Sequence, residues 1–102
     1  MKPTIFVEEQ GVACQRRQVF YSGHVQGVGF RYTTRQIAGK FAVTGFVRNL
    51  PDRRVELVAE GTAEELTAFL AAVDERLGSH IRSTAVDSRA ATGEFSSFAI
   101  EH

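Results

Sequence analysis

Residues 23–31 read GHVQGVGFR, and the chain changes character on either side of them. Before them, the stretch QVFYSG, Gln18 to Gly23, is rich in β-branched and aromatic residues and ends on glycine, the mark of a strand. After them, Phe30, Thr34, Ile37, Ala38 and Phe41 recur at i, i+4, i+7, i+8 and i+11, one face of a helix. A glycine-rich turn between strand and helix is where backbone amides converge on an anion. Gly23, Gly27 and Gly29 permit the positive φ values that aim successive N–H groups at one point, and they keep Cβ atoms out of the way. The helix adds its unsatisfied first amides and its positive dipole end. Arg31, in the first turn, offers a two-pronged guanidinium to the same anion. Glycine spacing alone equally allows a plain turn followed by a surface arginine. The stretch is not a Walker loop, having no Gly-Lys-Ser/Thr, and it lacks the third glycine of the dinucleotide fingerprint.

Working outward, Val43 to Leu50 is a second strand, Pro51-Asp52 a turn, and Val55 to Glu60 a third strand. In that third strand Val55, Leu57 and Ala59 alternate inward, with Glu56, Val58 and Glu60 on the other face. Thr62 is placed as an N-cap, and Glu65 three residues later completes a capping box. Leu66, Phe69, Leu70, Val73 and Leu77 then form an apolar stripe, with Gly78 placed to end the helix. Thr84 to Arg89 and the short Phe98-Ala99-Ile100 close the chain. The order is β-α-β-β-α-β, which predicts an α+β, ferredoxin-like sandwich: an antiparallel sheet with two helices on one face. Residues 17–102 form this domain. Residues 1–16 have no sustained period and read as an N-terminal extension with nothing in it that demands order.

The bulk numbers agree with one such domain. The chain has 102 residues, 43% hydrophobic and 24% charged, enough for a core without a disulfide or metal staple. Twelve basic residues balance twelve acidic ones. A neutral chain is a poor coat for nucleic acid or for an anionic membrane. Cys14 is the single cysteine, and His24, His80 and His102 stand far apart, so no metal-ligand cluster and no cofactor are expected. A lone thiol fits a reducing, cytoplasmic setting. TIFV, Thr4 to Val7, is too short for a signal-peptide core, and no stretch approaches the roughly 20 apolar residues of a membrane span. A monomer is the default expectation.

GHVQGVGFR followed by GFVRN, Gly45 to Asn49, resembles the paired signature of the acylphosphatases. The resemblance runs from Arg17 to Ile100 and takes in VELVAEG, Val55 to Gly61, and GEFSSFAI, Gly93 to Ile100. It implies a ferredoxin-like fold and metal-free hydrolysis of carboxylic–phosphoric anhydrides to a carboxylate and inorganic phosphate. Carried over by position, it implies that Arg31 and the amides of Gln26, Gly27, Val28, Gly29 and Phe30 hold the phosphoryl oxygens, and that Asn49 holds the attacking water. The partners implied are a small acyl phosphate and inorganic phosphate as product and competitor, with neither nucleic acid nor membrane. Two departures stand out. The hairpin has Asp52-Arg53 where the family usually has Asp-Gly, and Ala42 stands where the first helix often ends in glycine, before Val43-Thr44-Gly45. Either residue would be strained if its backbone were left-handed, by about 1–2 kcal/mol.

Other readings compete with this one. An RNA-recognition domain shares the element order, but TGFVRNL falls on the second strand rather than the third, and the neutral charge weighs against it. A related domain opens the large carbamoyl-transfer proteins of hydrogenase maturation, where proline usually follows the loop arginine; Tyr32 and a chain ending at His102 favour the stand-alone enzyme. Ser22 has no visible base beside it and reads as a strand-end hydroxyl. His24 reads as a solvent-facing loop residue. Glu64 and Glu65 read as helix-start charges. Arg48, Arg53 and Arg54 read as a solvated hairpin edge, and Phe20, Phe30, Phe46 and Phe69 as core.

Overall fold

A computed structural model describes residues 13–102. For residues 1–12, the expected N-terminal extension lies outside the described residues. The first strand, β1 (Cys14–Gly23), begins at Cys14 rather than at Gln18, so that Cys14 to Arg16 are strand. It is followed by α1 (Phe30–Ala38), β2 (Thr44–Asn49), β3 (Val55–Thr62), α2 (Ala63–Leu77), a 3-10 turn over Gly78–His80, β4 (Ile81–Ala90) and β5 (Phe98–Glu101). The strands form one sheet in the order β4-β1-β3-β2-β5. The α+β, ferredoxin-like arrangement expected from the sequence is the one observed.

The sheet is mixed, however, and not wholly antiparallel. β1, β3, β2 and β4 pair antiparallel, but β5 runs parallel to β2, with Gly45 opposite Phe98 and Val47 opposite Ile100. The cause is the route of residues 91–97. The chain leaves β4 at one edge of the sheet, crosses the end where β3 finishes, and starts β5 beside the start of β2. Glu60, at the end of β3, fastens this crossing: its carboxylate accepts from Thr92 N at 2.8 Å, Thr92 Oγ1 at 2.9 Å and Gly93 N at 2.9 Å.

β3 is central and buried on both faces, from Val55 to Gly61. Its inward side joins Val19, Tyr21 and Val47 against Phe30 and Ile37 of α1 and Leu66, Phe69 and Val73 of α2. Each such fully buried side chain contributes roughly 1.5–3 kcal/mol before entropy is charged against it. Its other side is covered by polar neighbours: the buried Glu56 carboxylate accepts from Gln18 Nε2 at 2.7 Å and Arg48 Nε at 2.6 Å. Phe20 and Phe46 lie half-buried on this open face under arginines, Arg54 Cζ 4.6 Å from the Phe20 ring and Arg48 Cζ 5.5 Å from the Phe46 ring. Phe30 and Phe69 are core as expected, and these two are not.

Helix ends also differ from the sequence reading. Thr62 Oγ1 does accept from Glu65 N at 3.2 Å, so the N-cap forms. Glu65 does not reach back to complete the box, because its carboxylate accepts from Ala42 N at 2.7 Å instead. Gly78 is right-handed (φ −57°), and the chain runs on into the 3-10 turn. α1 stops at Ala38, and Phe41 lies beyond its end with its ring 6.0 Å from Phe69.

Candidate active site

β1 and β2 are separated by β3 in the sheet, so the loop that follows β1 must pass over the start of β3, at Val55, to enter α1. In doing so it comes to lie beside the last residue of β2, Asn49. Gly27 and Gly29 carry φ of 79° and 75°, the left-handed backbone that the sequence assigned to them. Space for a Cβ exists at both, so the requirement for glycine is conformational. Gly29 is the N-cap of α1 and provides no side-chain cap.

The loop is tied at both ends by backbone bonds, His24 N to His80 O at 2.9 Å and Thr33 N to Gly29 O at 3.0 Å. Between them, among the described residues, no amide from Val25 to Tyr32 donates to a backbone carbonyl. Unbonded amides in a turn and at the start of a helix offer a positively polarised surface to an anion.

A cleft of about 180 Å³ opens on this surface, lined by Gly27, Gly29, Phe30, Arg31, Asn49 and, from β5 and beyond, Ile100 and His102. Four of the six expected phosphate-binding residues therefore border one space with Asn49. Gln26 and Val28 do not line it. The Val28 side chain packs on the core, and Gln26 Nε2 donates to Leu50 O and Arg54 O, each at 2.9 Å. A wider hollow of about 350 Å³ runs along β4, between Arg16, Gln18, Asp87 and Arg89, but its charges already pair: Arg89 Nε lies 2.7 Å from Asp87, and Arg16 Nη1 2.7 Å from Glu94.

Arg31 is held from the side of β5. Its Nη1 lies 3.3 Å from both the Glu101 carbonyl oxygen and His102 Nδ1. Among the described residues Nε and Nη2 make no such bond, leaving that edge of the fork for a ligand. The sequence reading missed Ile100, Glu101 and His102, and no local signal marks them. Their presence depends on where β5 joins the sheet.

The remaining candidates lie outside the cleft. His24 is exposed, its ring 6.4 Å from that of His80. Arg48 pairs with Glu56, and Arg54 Nε pairs with Asp52 at 2.8 Å. The Asp52 carboxyl is held below its ordinary range by the Arg54 backbone N–H and then by the Arg54 side chain. Among the described residues no group of His, Cys, Asp and Glu is arranged to hold a metal ion, and no helix is long and apolar enough to cross a membrane.

Comparison with known proteins gives one answer. The family model described as Acylphosphatase matches residues 17–100. An acylphosphatase of Methylococcus capsulatus is 48% identical over 89 residues, 84% of this chain and 95% of that protein. Among solved structures, acylphosphatase from Bacillus subtilis superposes with a TM-score of 0.78 at 30% identity, covering 86% of this chain and 99% of that one. HypF of T. kodakarensis superposes with a TM-score of 0.74 at 27% identity, over 86% of this chain but only 12% of that one.

Proposed function

This chain belongs to the acylphosphatase family, and from that premise we propose that the cleft beside residues 23–31 hydrolyses acyl phosphates without a metal ion, Asn49 orienting the attacking water. The observation that carries the proposal is the meeting of Gly27, Gly29, Phe30, Arg31 and Asn49 on one small space. The dianionic phosphoryl group lies against the loop amides from Gln26 to Phe30 and the open edge of the Arg31 fork. Asn49 holds water at the opposite side of phosphorus from the acyl oxygen. Water oxygen bonds to phosphorus, the bond from phosphorus to the acyl oxygen breaks, and the carboxylate leaves with the electron pair. Both water protons finish on phosphate oxygens.

A carboxylate leaves readily, so no strong general acid is needed. Positioning and charge stabilisation over the equatorial oxygens then supply most of the acceleration. No serine, cysteine or histidine nucleophile is called for, which suits a cleft where the imidazole of His102 faces Arg31.

The test is hydrolysis of benzoyl phosphate in a chelator, beside a phosphate monoester. Full activity on the acyl phosphate, competition by inorganic phosphate and little monoester cleavage are expected. Arg31→Ala and Asn49→Ala should each fold and lose on the order of 10²-fold or more in kcat. A near-parental rate in either variant would falsify its assigned role, and inhibition by the chelator would overturn the metal-free mechanism.

A further inference from the structure

We infer that Gln26 is a positioning residue: its side chain clamps the anion loop to the β2–β3 hairpin and so sets the distance between the bound phosphoryl group and Asn49. The inference rests on the reading of Asn49 as the residue that orients water. Gln26 belongs to the loop by sequence, but its side chain does not line the cleft. Its amide nitrogen donates to two carbonyl oxygens, Leu50 O and Arg54 O, both at 2.9 Å. Two carbonyls facing one end of the amide require that end to be nitrogen, and both of its protons are thereby used. The same carbonyls close the hairpin turn, Leu50 N donating to Arg54 O at 2.8 Å and Arg53 N to Leu50 O at 3.1 Å. Leu50 directly follows Asn49, so the clamp fastens the loop one residue from the water-holding amide.

The far side of the loop is fastened separately, by His24 N on His80 O. The loop leaves β1 on one side of β3, the hairpin joins β3 to β2 on the other, and Gln26 is a polar tie between them. Its chemistry is specific. Asparagine is one methylene shorter, and an ionised glutamate has the length but no proton to donate. Phosphate affinity belongs to the backbone amides of the loop and to Arg31, which a change of the Gln26 side chain leaves in place. The placement of Asn49 against phosphorus is what the clamp controls, and a displacement of about 1 Å there costs on the order of 10²-fold in rate.

The experiment is a double-mutant cycle with Gln26→Ala, Asn49→Ala and the double variant, with Gln26→Glu as a second probe of the same length. For each folded protein, kcat on benzoyl phosphate and the competitive inhibition constant of inorganic phosphate are measured. Gln26→Ala and Gln26→Glu are expected to lower kcat roughly 10- to 100-fold while shifting phosphate inhibition less than about twofold. In the Asn49→Ala background, Gln26→Ala is expected to lower kcat no further. An equal loss with and without Asn49, or a phosphate constant that rises as far as kcat falls, overturns the inference while leaving the role of Asn49 intact. A parental kcat in Asn49→Ala overturns the reading of Asn49 itself, and the clamp with it.

Discussion

Arg53 is the only non-glycine residue with positive φ among the described residues, at 75°. Its Cβ crowds the following carbonyl in that conformation, at a cost of about 1–2 kcal/mol. Glycine removes the crowding but loses more backbone entropy on folding, roughly 0.5–1 kcal/mol. The balance favours glycine, so Arg53→Gly should stabilise the protein by about 0.5–1 kcal/mol, read as a higher urea midpoint with an unchanged slope. A lower midpoint would show that the Arg53 side chain contributes more than the strain removes. The strain was legible in the sequence, because an Asp-Arg pair stands where the turn usually takes Asp-Gly. Ala42 raised the same suspicion without cause. Successive turn bonds, Lys40 N to Ile37 O and Phe41 N to Ala38 O, carry the chain out of α1, and Glu65 takes the Ala42 amide. Which absent glycine matters depends on how a turn is wound, and only the neighbouring bonds decide that.

At the scale of elements, what the sequence spelled out was whatever is written locally. The stripe of α2, the alternation of β3 and the glycines of the loop each carry their own period, and each forms as read. The direction of β5 carries no local signature. It follows from the crossing at residues 91–97, and that crossing is held by Glu60, which in the sequence is only one outward position of an alternating strand. Glu60→Ala would leave Thr92 N, Thr92 Oγ1 and Gly93 N without their shared acceptor, at about 1–3 kcal/mol for a group left unsatisfied. The effect should travel to β5, since the same crossing delivers Ile100 and His102 to the cleft. Amide hydrogen exchange over 92–101 should therefore quicken in Glu60→Ala more than exchange in β1 or β3. Uniform quickening across the sheet would mean that Glu60 supports the whole fold and does not anchor this segment in particular.

At the scale of the whole molecule, the site is a consequence of strand order. β3 between β1 and β2 brings the loop over Asn49, and β5 outside β2 supplies the residues that hold Arg31. The first of these meetings follows from the ferredoxin-like order, whereas the second needs a connection that spans the sheet. Beneath the loop the same packing has a measurable charge consequence. Tyr21 is 1% exposed, with its ring 5.1 Å from Phe30, the residue that opens α1. Burial first, and then the Asp74 carboxylate, push its phenol well above the ordinary value near 10. Above that pH the unfolded chain releases the phenolic proton while the folded chain keeps it, so the folded state binds more protons and stability falls as pH rises. The stability present below pH 10 is lost progressively on the alkaline side, at up to about 1.4 kcal/mol per pH unit for this one group. Tyr21→Phe keeps the ring against Phe30 and has nothing to ionise, so its stability should fall less steeply in urea titrations between pH 9.5 and 11.5. Parallel curves for the two proteins would mean that Tyr21 ionises alike folded and unfolded, and that the floor beneath the loop admits a charge that this packing is built to exclude.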